Sequence, residues 1–125
     1  MAKTVQDLVS AARAEVPAIS PAEAKRLHGQ AGVVFVDVRE PAEVAAGKVK
    51  GAVAIPRGVL EFQVGSDENR PAGLREDKTV ILYCAGGGRA ALAGQTLRAM
   101  GFEDVRNLGG YKDWVEADGE TERDI

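Results

Sequence analysis

Tyr83-Cys84-Ala85-Gly86-Gly87-Gly88-Arg89-Ala90 holds the residue types in this chain best suited to chemistry. Cys84 is the only cysteine, and three consecutive glycines and an arginine follow it closely. A thiolate is a strong nucleophile, and a glycine run lets backbone N–H groups approach it without side-chain interference. A strand should precede the thiol and a helix should follow it. The sulfur would then face inward-pointing amides and the positive end of a helix dipole. In that setting a thiol is expected to ionise more readily and react faster than a free one. Free cysteines are also commonly buried as small hydrophobes. Three adjacent glycines weigh against so passive a role, because glycine is conformationally costly except where backbone must approach something. Arg89 at a helix start opposes the local dipole unless an anion lies between them, which also favours function.

The flanking segments supply those elements. Lys78–Tyr83 is a β-branched apolar run that predicts a buried strand. Leu92, Leu97 and Met100 lead toward Gly101, which predicts a helix over 89–100 with a glycine cap. Upstream, Val5, Leu8, Val9 and Ala12 predict a short amphipathic helix over 4–14. Ser20-Pro21-Ala22-Glu23 is a capping-box start for a helix stopping near Gly29. Gly32–Asp37 predicts a strand apolar on both faces, followed by a short helix from Pro41 closed by Gly47. Ala52–Ile55 predicts another strand, stopped by Pro56. Residues 57–77 form a long, charged connection that could act as a lid. Asp104–Leu108 predicts a last strand, with Gly109-Gly110 and a helical turn holding Trp114 after it. The acidic end, from Glu116, is expected to fray. Strands alternating with helices give an α/β domain with a mainly parallel central sheet flanked by helices. Cys84 falls at a strand's carboxyl end, where such sheets bind ligands.

Composition narrows the function classes. The chain has 125 residues, 45% hydrophobic and 28% charged, which suits one ordinary globular domain. A net charge of −3 without a basic cluster argues against nucleic acid as a partner. One cysteine cannot form an internal disulfide, and one cysteine with one histidine gives no credible metal site. No apolar run reaches membrane-spanning length, and residues 1–8 lack the apolar core of a signal peptide. A cytoplasmic protein without membrane contact is the expectation.

Other loop chemistries fit less well. Gly86–Ala91 matches G-x-G-x-x-A after a strand, but too little chain follows to complete a dinucleotide-binding half. No Gly-Lys-Ser/Thr follows, so this is no P-loop. Cysteine-dependent phosphatases place five residues between Cys and Arg. Here there are four, Ala85, Gly86, Gly87 and Gly88. That shorter cradle should admit one bound atom rather than a whole phosphate.

Taken together, these motifs resemble the single-domain rhodaneses, sulfurtransferases whose active loop is Cys-x-x-Gly-x-Arg. Cys84, Gly87 and Arg89 match that loop. Asp37-Val38-Arg39 resembles the family's Asp-x-Arg, and Glu43–Ala52 its Glu-Phe-x-x-Gly-His-Ile-x-Gly-Ala block. Ile55-Pro56 is similar to its Asn-Ile-Pro, and Leu108–Trp114 to its closing Gly-Gly-x-x-x-Trp. Lys48 stands where the family has His, and Val44 where it has an aromatic; both are structural positions. The loop interior lacks the polar or basic groups that many thiosulfate-using relatives carry.

The resemblance implies a rhodanese-like domain over 18–116, with residues 1–17 as a helical extension and 117–125 as an acidic tail. It implies Cys84 as nucleophile and Ala85, Gly86, Gly87, Gly88 and Arg89 as the substrate-binding loop, with no cofactor and no metal. Sulfur would pass from a small-molecule donor such as thiosulfate, through a persulfide on Cys84, to cyanide or a thiol. A non-catalytic persulfide carrier serving a protein sulfur-relay partner is the alternative. Arg89 could hold the donor's anionic end or brace the loop through backbone carbonyls. Arg39 and Glu43 are spaced to pair across one helical turn, Arg57 could lend the loop positive charge, and His28 is expected to be solvated.

Overall fold

The computed structural model describes residues 1–123, and its centre is a four-stranded parallel sheet in the order β3-β1-β4-β5. The strands are β1 (Val33–Asp37), β3 (Val53–Ala54), β4 (Thr79–Cys84) and β5 (Asp104–Gly110). In β4 the two-residue side-chain period sends Val80, Leu82 and Cys84 to one face and Ile81 and Tyr83 to the other. The first set packs beneath α4 (Leu60–Val64) and α5 (Gly88–Ala99), with Leu60, Val64 and Leu97 fully buried. The second set meets Ile19, Ala24 of α2 (Pro21–Leu27) and Trp114 of α6 (Tyr111–Glu116). Both faces are therefore covered, which is why the central strands are apolar throughout.

Local signals explain the boundaries. The Ser20 side chain accepts from Glu23 N at 3.1 Å to start α2. Gly101 takes φ +101° immediately after the last turn of α5 and its C-cap Met100. Helix α3 (Pro41–Ala45) has proline in its first turn, with the Glu43 side chain accepting from Glu40 N. Beside β4, strand β5 slips by one residue: Leu82 pairs with Asn107 but Tyr83 with Gly109, so Cys84 lies opposite Gly110.

Several expectations change. Residues 57–77 are not a bare connection: a 3-10 turn over Arg57–Val59 leads into α4, and Leu60, Val64 and Leu74 anchor the segment in the core. Helix α1 (Val5–Glu15) buries Ala12 and packs on α5, while Val5 and Leu8 face outward. Its inward face is set by Val9, Ala12 and Val16, so the later part of the predicted stripe is used and its first turn is left exposed. The acidic end is ordered into structure where it is described. Two short strands, β2 (Lys48–Val49) and β6 (Thr121–Glu122), pair antiparallel, and Trp114 Nε1 donates to Glu120 O at 2.9 Å. Asp124 and Ile125 of that predicted tail lie outside the described residues. His28 is not solvated: it stands edge-on between Phe35 and Trp114, its Nε2 2.7 Å from Lys50 O. Among the described residues, no helix is long and apolar enough to cross a membrane.

Candidate active site

Cys84 ends β4 with its side chain on the α5 face, 1% exposed. The chain then turns through Ala85 and Gly86, both exposed, and Gly87, buried, into α5. Gly87 has φ +93° and caps α5 with no side-chain partner for the helix's free amides. Its N–H donates to Cys84 Sγ at 2.9 Å. The sulfur thus sits under the N-terminal end of a twelve-residue helix, where partial positive charge favours an anion. Gly87 is the amide within hydrogen-bonding distance; the expected inward set over 85–89 is realised at this one position.

The loop is built from below by β5. Asn107, 4% exposed, donates from Nδ2 to Gly87 O at 3.1 Å and accepts from Gly109 N at 2.8 Å. A Cβ on Gly87 would stand 3.2 Å from Gly109 Cα. One on Gly110 would collide with the Ala85 carbonyl. By contrast, a Cβ at Gly86 meets nothing within 4 Å, and one at Gly88 meets only Val9 Cγ2 at 3.8 Å. The three loop glycines are therefore unequal: Gly87 is required by conformation and space, whereas its neighbours are not. Asn107 and Gly110 escaped sequence reasoning, although Gly109-Gly110 after the last strand was the available signal.

Arg89 does not brace backbone carbonyls. Its guanidinium grips Glu43 of α3 end-on, Nη1–Oε1 2.8 Å and Nη2–Oε2 3.1 Å. That bond, with the one from Glu40 N, pulls the Glu43 carboxyl down to about 2. Glu43 in turn holds Arg89 above its ordinary value, with a smaller contribution from nearby Cys84. The Arg39–Glu43 pairing does not form. Arg39 turns into the protein, bonds Asp37 (Nη2–Oδ2 2.8 Å) and Gly47 O (2.7 Å), and stacks over Tyr111. Burial selects Asp37, itself fully enclosed, as the partner, because two buried charges must satisfy each other. Arg57 also leaves the loop uncharged, being held by Glu61 (2.9 Å) and Thr96 (3.2 Å). Beside α3, at the carboxyl ends of β1 and β3, Arg39, Pro41, Val44, Ala45, Ala54 and Pro56 line a cavity of about 290 Å3. Among the described residues no cluster of three His, Cys, Asp or Glu is placed to hold a metal ion.

Comparison with known proteins agrees with this layout. The rhodanese-like domain profile matches residues 20–117. The human thiosulfate:glutathione sulfurtransferase is 32% identical over 113 residues, covering 82% of this chain and 96% of its own. The Bacillus subtilis protein YqhL is 41% identical over 81 residues; the match spans 64% of this chain but only 59% of that protein. Among solved structures, a Rhodopseudomonas palustris protein described as a possible tyrosine phosphatase superposes with a TM-score of 0.87 at 34% identity. That superposition covers 98% of this chain and 96% of the other.

Proposed function

The chain belongs to the rhodanese-like domain family, whose members include sulfurtransferases, and from that premise we propose that it transfers sulfane sulfur through a persulfide on Cys84. The observation that carries the proposal is the Gly87 N–H held 2.9 Å from Cys84 Sγ at the start of α5. A donor hydrogen bond and a helix terminus both favour sulfur as an anion, the form needed for attack and the form a persulfide takes.

In the proposed reaction the Cys84 thiolate attacks the outer sulfur of a donor such as thiosulfate. A new S–S bond forms to Cys84, the donor's S–S bond breaks, and sulfite leaves with the electron pair. Cyanide or a thiolate then attacks the terminal sulfur, and the Cys84 thiolate is released. Ala85, Gly86, Gly87, Gly88 and Arg89 form the binding loop in this scheme. Arg89 acts with its charge shared with Glu43, so the donor's anionic end meets backbone dipoles more than a free cation. The cavity lined by Val44 and Pro56 would seat the body of an acceptor thiol. The transferase unit is assigned to residues 18–116, with 1–17 as a helical extension and 117–125 as an acidic tail, in a cytoplasmic protein.

A persulfide carrier that hands sulfur to a protein relay partner is the second reading, favoured by the 1% exposure of Cys84, which restricts access to its sulfur. Phosphate-ester hydrolysis is disfavoured because four residues, not five, separate Cys84 from Arg89, and that arginine is engaged by Glu43.

Intact-mass measurement tests the proposal. Thiosulfate should add about 32 Da, cyanide should remove it with thiocyanate formed, and Cys84→Ser should do neither while remaining folded. Adduct formation with sluggish cyanide turnover selects the carrier. Full activity in Cys84→Ser removes Cys84 from the mechanism.

A further inference from the structure

Gly86 and Gly87 share one trans peptide group whose two ends face different side chains. The N–H end, on Gly87, donates to Cys84 Sγ at 2.9 Å. The carbonyl end, on Gly86, accepts from Arg13 Nη2 at 3.5 Å. In a trans peptide these groups point in opposite directions, so a cation at the oxygen turns the hydrogen toward the sulfur and strengthens it as a donor. The two terminal nitrogens of Arg13, Nη2 and Nη1, lie 3.1 and 3.6 Å from where a Gly87 Cβ would stand. Arg13 belongs to α1, which lies outside the residues matched by the family profile. Helix α1 is firmly seated, with Ala12 and Val16 buried and Glu15 bonded to Gln95 of α5.

Resting on the reading of Cys84 as the sulfur carrier, we infer that Arg13 is a positioning residue for that sulfur, acting through the Gly86–Gly87 peptide. It holds the peptide with its N–H inward and stabilises negative charge on Cys84, both as thiolate and as persulfide. It thereby adds, from outside the loop, a cationic influence to that of Arg89, whose charge is shared with Glu43. Five other charged groups stand on the elements around the loop. Arg89 of α5 and Glu43 of α3 neutralise each other, and the Asp37–Arg39 ion pair closes on itself at the end of β1. Asp113 of α6 approaches β5, its Oδ2 3.5 Å from where a Gly110 Cβ would stand. All remain when Arg13 alone is changed, so the difference between variants isolates Arg13.

The test is the rate of Cys84 alkylation by iodoacetamide against pH, which needs neither a sulfur donor nor an acceptor. Arg13→Met keeps the stem and loses charge and donor; it should react about 2- to 5-fold more slowly near neutrality, the range an exposed ionic contact supplies. The midpoint of its rate profile should move to higher pH, and Arg13→Lys should recover at least half of the loss. A wild-type rate and profile in Arg13→Met overturns the inference, and so does an equal loss in Met and Lys. Should Arg13→Met melt several degrees early, Arg13→Gln against Arg13→Lys carries the same comparison, with Gln required to be slower. Sulfur loading measured in parallel separates the two ideas. Altered alkylation without any 32 Da adduct leaves Arg13 in place and rejects sulfur transfer; loading with unaltered alkylation does the reverse.

Discussion

Gly110 stands against the carbonyl of Ala85 so closely that no side chain fits between them. The end of β5 therefore sets where the loop runs, and the one-residue slip between β4 and β5 is what brings Gly110, rather than Gly109, opposite Cys84. Gly110→Ala must push backbone against backbone. It is expected to destabilise the fold by about 1–3 kcal/mol, the usual cost of overpacking. Alkylation of Cys84 should change with it; chemical denaturation and iodoacetamide kinetics on the same sample check both.

The glycines of the loop should respond very differently to alanine. Gly87→Ala meets a left-handed backbone and Gly109 Cα at 3.2 Å, so a loss of about 1–2 kcal/mol with collapse of sulfur loading is expected. Gly86→Ala enters open space and should stay within about 0.5 kcal/mol of wild type. Paired melting curves and intact-mass loading distinguish them, and equal damage from both would contradict the assignment of roles.

The buried Asn107 side chain ties the loop to the sheet by donating to Gly87 O, and it accepts from Gly109 N within its own strand. Asn107→Ala leaves Gly109 N–H without its partner and releases Gly87 O from one of its two donors, costing about 1–3 kcal/mol. Hydrogen exchange should rise at Gly87 and Gly109 while the amides of β1 stay protected.

The Glu43–Arg89 pair predicts an acid limit. Glu43 titrates at about 2 in the folded chain against an ordinary 4.5. With the folded value the lower, its contribution is complete above about 4.5 and is lost as pH falls toward 2. Both partners are about one-third exposed, so solvent screening keeps the effect near 0.5–1 kcal/mol. Urea titrations of wild type and Glu43→Gln should differ at pH 7 and draw together as pH falls from 4.5 to 2; a constant gap would assign the stability elsewhere.

Much of this was legible in the chain itself. The β-branched run before Cys84, the Gly101 cap and the Ser20 start each act through local backbone preferences, and each element forms near its predicted place. Side-chain pairing was not legible, because it depends on which face a strand end presents. Glu43 is four residues from Arg39 yet pairs with Arg89, forty-six positions away, because Arg39 is drawn into the core by Asp37. The strands at Lys48–Val49 and Thr121–Glu122 are two residues long and carry no periodicity to detect. Arg13 lies seventy-three positions from Gly86, and no spacing rule joins them.

Beyond Asn107, the outer margin of β5 receives its backbone bonds from the chain's own beginning: Asn107 N donates to Pro17 O at 2.9 Å and Ile19 N donates to Asn107 O at 3.0 Å. Those few residues plug a sheet edge that would otherwise offer free amides and carbonyls to another molecule. A chain cut back to residue 20 would keep the whole stretch matched by the family profile, yet it would bare that edge and tend to self-associate, strand against strand.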